Sequence, residues 1–209
     1  MKKNTRVEAL AVPGGQSLLY PALIWDDDDT ILVDAAYPGE VHYFQHAIME
    51  AGASFEKIAK IIITHRDWDH TGGLRDIVAE LQQRVSVLTH KEEKPYVDEC
   101  ITPLEGIIVE DGEQLPYCGG ITVIHTPGHK RGHICLYVHR SRTLIAADAL
   151  AVEDEKLILP PKSVNDDWRL ARKSLDKLLK YEIETVICYH GGIWKGNASR
   201  SIAELIELQ

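Results

Sequence analysis

Four side chains able to hold a metal fall between residues 65 and 70: His65, Asp67, Asp69 and His70, in the segment Thr64-His65-Arg66-Asp67-Trp68-Asp69-His70. One short turn cannot easily aim four such groups at a single ion, but it can offer two to each of two ions. Imidazole and carboxylate together suit Zn, Fe, Mn, Ni or Co rather than Ca. A competing reading is a polar loop in which Asp69 or Thr71 caps the helix that starts near Gly72-Gly73-Leu74. Three more groups of the same kind stand where a buried run ends. These are His129 after residues 121–125, Asp148 after 143–147 and His190 after 185–189. Loops at one edge of a sheet are where a rigid scaffold presents functional groups.

The remaining candidates are weaker. Asp34 closes the buried run 31–33 and reads either as a turn residue before Pro38-Gly39 or as a carboxylate that orients a histidine. His125 and His133 flank Pro127-Gly128-His129 and suit packing or support better than ligation. His42 and His46 are four apart but lack the His-Glu-x-x-His form, so they read as a helix surface. His90 and His139 carry no signal, and Lys195 reads as a surface lysine. No Gly-x-Ser-x-Gly elbow argues for a serine nucleophile.

The elements that must position these groups follow from apolar runs and turn residues. Strands are expected at residues 7–12, 17–25, 31–33, 60–64, 85–88, 107–109, 121–125, 134–139, 143–147 and 185–189. Helices are expected at 40–51, where Val41, Phe44 and Ile48 share a face, and at 74–81, 91–99, 166–180 and 199–208. Gly52 fits the stop of the first helix. The acidic run Asp26 to Asp29 reads as a solvated hairpin tip. β-rich halves alternating with a few helices fit an α/β sandwich of two sheets with helices outside.

Bulk properties narrow the function classes. At 209 residues, one domain spanning 1–209 is expected. The net charge of −9 argues against a nucleic-acid partner, which needs Lys and Arg along the phosphates. Bound divalent cations would offset clustered carboxylates. No apolar run follows Lys2-Lys3, so a signal peptide is not expected. No stretch of 18 or more apolar residues exists, so no membrane partner is expected. Cys100, Cys118, Cys135 and Cys188 form no Cys-x-x-Cys pair and read as thiols of a reducing cytoplasm. The expected partner is a small-molecule substrate. Oligomeric state has no marker here beyond an apolar C-terminal helix that offers a face to a second chain.

The motifs resemble those of the metallo-β-lactamase superfamily. Its signature is His-x-His-x-Asp-His after a buried strand, followed by a distant His, an Asp and a last His, each at a strand end. The corresponding segments here are His65-x-Asp67-x-Asp69-His70, Thr126-Pro127-Gly128-His129, Ala147-Asp148-Ala149 and Tyr189-His190-Gly191-Gly192. The resemblance implies a four-layer αββα sandwich with the site along one edge between the sheets. It implies two divalent metal ions, zinc first, with manganese or iron as alternatives. His65, Asp67 and His129 would bind the first, Asp69, His70 and His190 the second, and Asp148 would bridge them. The implied activity is hydrolysis of a small ester, lactone, thioester or related carbonyl by a hydroxide held on the metals, with Asp69 catalytic. Among the branches, a glyoxalase II type carries an added C-terminal helical domain, and only residues 191–209 follow His190 here. Two other classes stay open: a mononuclear iron dioxygenase using His65, His129 and Asp148, and a non-catalytic binding protein of the same fold.

Position 67 departs from the pattern, which has His there. With three carboxylates, two divalent ions and a bridging hydroxide the set is neutral; with His at 67 it would carry one positive charge. The expectation is a less acidified water and a greater preference for Mn or Fe than a third imidazole would give.

Overall fold

The computed structural model describes residues 4–207. The first half contains β1 (Arg6–Ala9), β2 (Val12–Gly14), β3 (Ser17–Leu19), β4 (Ala22–Trp25), β5 (Thr30–Val33), α1 (Val41–Glu50), β6 (Lys60–Ile63), α2 (Trp68–Thr71), α3 (Leu74–Glu80), β7 (Ser86–His90), α4 (Lys94–Ile101) and β8 (Ile107–Val109). The second half contains β9 (Gln114–Leu115), β10 (Ile121–His125), β11 (Ile134–Val138), β12 (Thr143–Ala147), β13 (Ala151–Glu153), β14 (Lys156–Ile158), α5 (Trp168–Ser174), β15 (Thr185–Cys188), β16 (Gly192–Lys195) and α6 (Ala198–Glu207). Two six-stranded sheets result, in the orders β1-β4-β5-β6-β7-β8 and β16-β15-β12-β11-β10-β9.

Alternation within the strands separates three cores. Ile24, Ile31, Val33 and Ile62 of the first sheet meet Val123, Ile134, Leu136 and Ile145 of the second, forming the seam between sheets. The residues between them point the other way, because side chains alternate along a strand. Leu23, Leu32, Ile61 and Ile63 thus pack against Phe44 and Ile48 of α1 and Leu74 and Ile77 of α3. On the far side, Cys135, Leu144, Val186 and Cys188 pack against Leu175, Leu178, Ile202 and Leu205. Helices therefore cover the outer face of each sheet, and the four layers are αββα.

The expected elements are present, with instructive differences. The runs 7–12 and 17–25 are each two strands, not one: β1 and the start of β2 in the first, β3 and β4 in the second. Pro21 has no N–H to give a ladder, so β3 pairs with β2 while β4 pairs with β1 and β5. The helix expected over 166–180 is α5 followed by a 3₁₀ segment, Leu175–Lys180. The helix expected at 91–99 is shifted to α4, which takes Pro95 into its first turn. The short elements α2, β9, β13, β14 and β16 were not expected, being too brief to show a period. The Asp26 tip is a hairpin turn as read: Asp26 Oδ1 accepts the N–H groups of Asp28 and Asp29. The apolar face of α6 is covered by this chain's own Leu175 and Leu178, not left for a second copy. Leu208, the last residue of that expected helix, lies outside the described residues, as do Lys2 and Lys3. All four cysteines are unpaired. No helix among the described residues is long and apolar enough to cross a membrane.

The seam yields a stability prediction. Ile62 is fully buried between the sheets, whereas Ile108 on β8 is 45% exposed. Ile62→Ala should cost about 2–5 kcal/mol, and Ile108→Ala about 0.5 kcal/mol or less. Urea denaturation midpoints at constant m-value check the difference; equal costs would contradict the layering.

Candidate metal centre

The seven residues singled out above meet at one edge of the sandwich. Three come from strand ends of the two sheets: His65 beyond β6, Asp148 directly after β12 and His190 beyond β15. At β12 the pairing with β15 shifts between Ile145 and Ala147, and Ala147 takes a φ of 45°. A bulge of this kind re-aims the next side chain at some energetic cost, and that side chain is Asp148. His129 sits on the loop between β10 and β11. There Gly128 has a φ of 134°, and a Cβ on it would lie 2.0 Å from the Ala171 nitrogen. Only glycine lets α5 press so closely on the loop. Backbone bonds from Asp166 N–H to the His129 carbonyl and from Asp167 N–H to the Gly128 carbonyl complete the junction.

The alternative role of helix capping is not realised. Asp67 occupies the N-cap position of α2 but caps nothing, and Gly73 precedes α3 without a side-chain cap. Thr71 Oγ1 instead donates back to the Asp67 carbonyl at 3.0 Å. The Asp67 carboxylate is turned inward, with Oδ2 3.1 Å from His129 Nε2 and 3.6 Å from His65 Nε2. Asp148 lies at the middle: Oδ1 is 3.3 Å from His70 Nε2, and Oδ2 is 3.5 Å from His129 Nε2 and 3.4 Å from His190 Nε2. Asp69 Oδ2 is 3.3 Å from His190 Nε2. Three overlapping groups each bring their ligand atoms within 4.8 Å of one another. They are His65, Asp67 and His129; His65, His70 and Asp148; and Asp69, His70 and His190.

A surrounding set of contacts fixes which nitrogen faces inward. Asp34 Oδ2 accepts from Thr64 Oγ1 at 2.8 Å and lies 2.9 Å from His70 Nδ1. The carboxylate can only accept, so His70 carries its proton on Nδ1 and turns a lone pair on Nε2 into the site. Thr64 has spent its own proton on Asp34, so at 3.1 Å it accepts from His65 Nδ1–H, and His65 Nε2 is left bare in the same way. Asp34 thus orients two histidines, one of them through Thr64. His133 is a support too. Its Nε2 accepts the Asp148 N–H at 3.2 Å, and its Nδ1 bonds Thr126 Oγ1 at 2.8 Å. Three further supports were not read as such from the sequence. Tyr189 stacks on His70 at 3.7 Å between ring centres and donates its hydroxyl to the Asp69 carbonyl. Buried Glu93 accepts the Gly132 N–H at 2.8 Å and so ties α4 to the His129 loop. Lys130 places Nζ 3.0 Å from Asp67 Oδ2. The other flagged groups lie apart: His42 and His46 are exposed on α1, His90 and His125 stack on each other, His139 bonds Thr122, and Lys195 is exposed on β16.

The charges in this cluster call for a cation. Burial opposes ionisation of Asp148, yet His70 and then His190 hold its carboxyl well below the usual range. Burial likewise works against Asp67, but hydrogen bonds from His129, His65 and Lys130 keep it ionised far into acid. Burial and then the charge of His70 lower His65 to about 4. Burial also resists charge on His70, but Asp148 and Asp34 outweigh it and raise its pKa well above the imidazole value. Hydrogen bonds to Asp148 and Asp69 raise His190 to about 9. His65 Nε2, His70 Nε2 and Asp148 Oδ1 are buried with no hydrogen-bond partner, which is costly unless an ion takes them up. The donor set of imidazole nitrogen and carboxylate oxygen fits divalent transition metals.

Asp34 provides a test of this arrangement. Asp34→Asn keeps the shape and one acceptor but cannot accept from both Thr64 and His70 on the same terms. Affinity for Zn should fall about 10–100-fold, as when a supporting carboxylate is removed, with the fold retained. Chelator competition measures the first and circular dichroism the second; unchanged affinity would show that Asp34 has no orienting role.

The comparisons with known proteins agree with this geometry. The family model described as "Metallo-beta-lactamase superfamily" matches residues 20–190. A probable metallo-hydrolase of Bacillus subtilis (strain 168), YflN, is 28% identical over 217 aligned positions, covering 85% of this chain and 80% of YflN. A hydroxyacylglutathione hydrolase of Marinomonas sp. (strain MWYL1) is 33% identical over 132 positions; the match covers 61% of this chain but only 46% of that enzyme. The crystal structure of a metallo-β-lactamase family protein of Thermus thermophilus superposes with a TM-score of 0.73 at 21% identity, covering 97% of this chain and 78% of that one. The chain belongs to the metallo-β-lactamase superfamily.

Proposed function

We propose that this protein is a metal-dependent hydrolase that cleaves a small ester, lactone, thioester or related carbonyl substrate. The observation that carries this reading is the joining of two ligand triads through one carboxylate. His65, Asp67 and His129 lie on one side, Asp69, His70 and His190 on the other, and Asp148 lies within 3.5 Å of His70, His129 and His190. On this reading His65, Asp67 and His129 would hold one divalent ion, Asp69, His70 and His190 a second, and Asp148 would serve as a further ligand. Such ions, when bound, would supply Lewis acidity toward a carbonyl oxygen and lower the pKa of a bound water.

The chain's own groups divide the remaining work. Asp69 is the catalytic residue: it would hold the attacking water and pass the proton to the leaving group. The Tyr189 hydroxyl on the Asp69 carbonyl keeps that backbone in place. His65 and His70 form a fully buried floor, whereas His190 (44%), Asp67 (32%) and Asp69 (20%) reach the open edge from which substrate would enter. A polar groove beside the centre is lined by charges of both signs, Arg66, Lys91, Lys130 and Arg131 alongside Glu92, Glu110, Asp111, Asp166 and Asp167. Exposed Trp68, between Asp67 and Asp69, offers a flat apolar surface on the same loop. The relatives named hydroxyacylglutathione hydrolase place thioesters among the substrates to examine first.

The test is a panel of thioesters, lactones, aryl esters and β-lactams. It uses chelator-stripped protein reloaded separately with Zn, Mn, Fe and Co. Hydrolysis of one class should appear only with metal, at two metals per chain, and vanish on chelation. Asp69→Ala should lower kcat about 10²–10⁴-fold. No hydrolysis with any metal, or one iron per chain with oxygen consumption on a persulfide, would sink the reading. An Asp69→Ala protein that kept full activity would remove Asp69 from its role.

A further inference from the structure

Lys130 follows His129 directly, and the bonds that hold the His129 loop hold it as well. Its side chain is only 14% exposed, and Nζ lies 3.0 Å from Asp67 Oδ2. That oxygen is also the one facing His65 Nε2 and His129 Nε2. Lys130 thus shares the very atom that Asp67 turns toward its metal position. Its other polar neighbours are more distant: the Val164 carbonyl at 3.5 Å and Asp166 Oδ1 at 3.7 Å. Asp166 is about half exposed and also faces Arg66 at 3.8 Å, as does buried Glu93. Glu93 has Arg66 as its cation, Asp166 lies between Arg66 and Lys130, and the contact of Lys130 with Asp67 is its shortest.

The family pattern has a neutral imidazole at position 67. An aspartate brings a negative charge, and an ammonium on the same oxygen cancels it. We propose that Asp67 and Lys130 act as one neutral ligand unit, with Lys130 as a built-in counter-ion that sets how tightly the Asp67 position holds a divalent cation. This rests on the metal-site reading above. An oxygen that accepts from an ammonium is a weaker donor, and a fixed positive charge nearby repels a second cation through a partly buried, poorly screened medium. Lys130 therefore restrains metal binding in this chain. A lysine acting only as a strut for the loop would do the reverse, because its loss would loosen the site.

The sign of the effect decides between them. Zn and Mn affinity and stoichiometry would be measured by calorimetry and chelator competition on four full-length proteins: wild type, Lys130→Met, Asp67→His and the double variant. Lys130→Met should bind metal at least tenfold more tightly. Asp67→His should bind at least tenfold less tightly, because the ammonium then faces the metal with no carboxylate between. The double variant should return to within about threefold of wild type. Lys130→Arg, which keeps the charge, should stay near wild type, and Lys130→Gln serves if the methionine variant does not fold. Wild type that binds two metals while Lys130→Met binds equally or more weakly would overturn the proposal and leave the metal reading standing. So would a double variant as weak as Asp67→His. Wild type that binds no divalent metal would overturn both.

Discussion

Three carboxylates converge on a pocket floored by buried side chains, and that repulsion organises everything around it. Asp67, Asp69 and Asp148 can be brought this close only if positive charge lies among them. The chain supplies some of it as the ammonium of Lys130. The rest is demand: His65 Nε2, His70 Nε2 and Asp148 Oδ1 are buried with no partner. A bound cation would relieve a site arranged in this way.

The fold exists, in this view, to hold that repulsion in register. Two sheets seal a common seam, and helices seal each outer face, so the strand ends are rigid. Two of the strained points lie where the site is built. Asp34 and Ala147 both have positive φ, and each stands beside or within the group that it helps to place. Such conformations persist only when surrounding contacts over-determine them. Asp34 is held by two bonds to Thr64, and the turn at Ala147 leads into Asp148, whose N–H is bonded to His133.

What could be read from the sequence follows the same division. The convergence of His65, Asp67, Asp69, His70, His129, Asp148 and His190 was legible, because each follows a buried run or sits in one short motif. The sheets were legible because strands four to five residues long show alternation or continuous burial. β9 and the β13–β14 hairpin, only two or three residues per strand, carry too few side chains to show a period. The supports were mostly illegible. Tyr189 reaches Asp69 across 120 positions and Glu93 reaches Gly132 across 39. Nothing local marks either residue, since a tyrosine at a strand end and a glutamate before a helix are ordinary in themselves. His133 and Asp34 had a local hint from their places beside motif residues, but their partners had none.

Lys130 illustrates how a contact changes the meaning of a neighbouring residue. Counting charges along the motif makes the centre one unit more negative than a histidine at position 67 would. Adding the ammonium at 3.0 Å from Asp67 returns the count to the histidine value. Donor type and charge, which change together when a histidine becomes an aspartate, are thereby separated. The oxygen donor remains, so the argument from hardness toward Mn or Fe still applies. If Lys130 supplies the counter-charge proposed above, the net charge of the centre equals that with histidine at position 67, and donor type alone distinguishes the two.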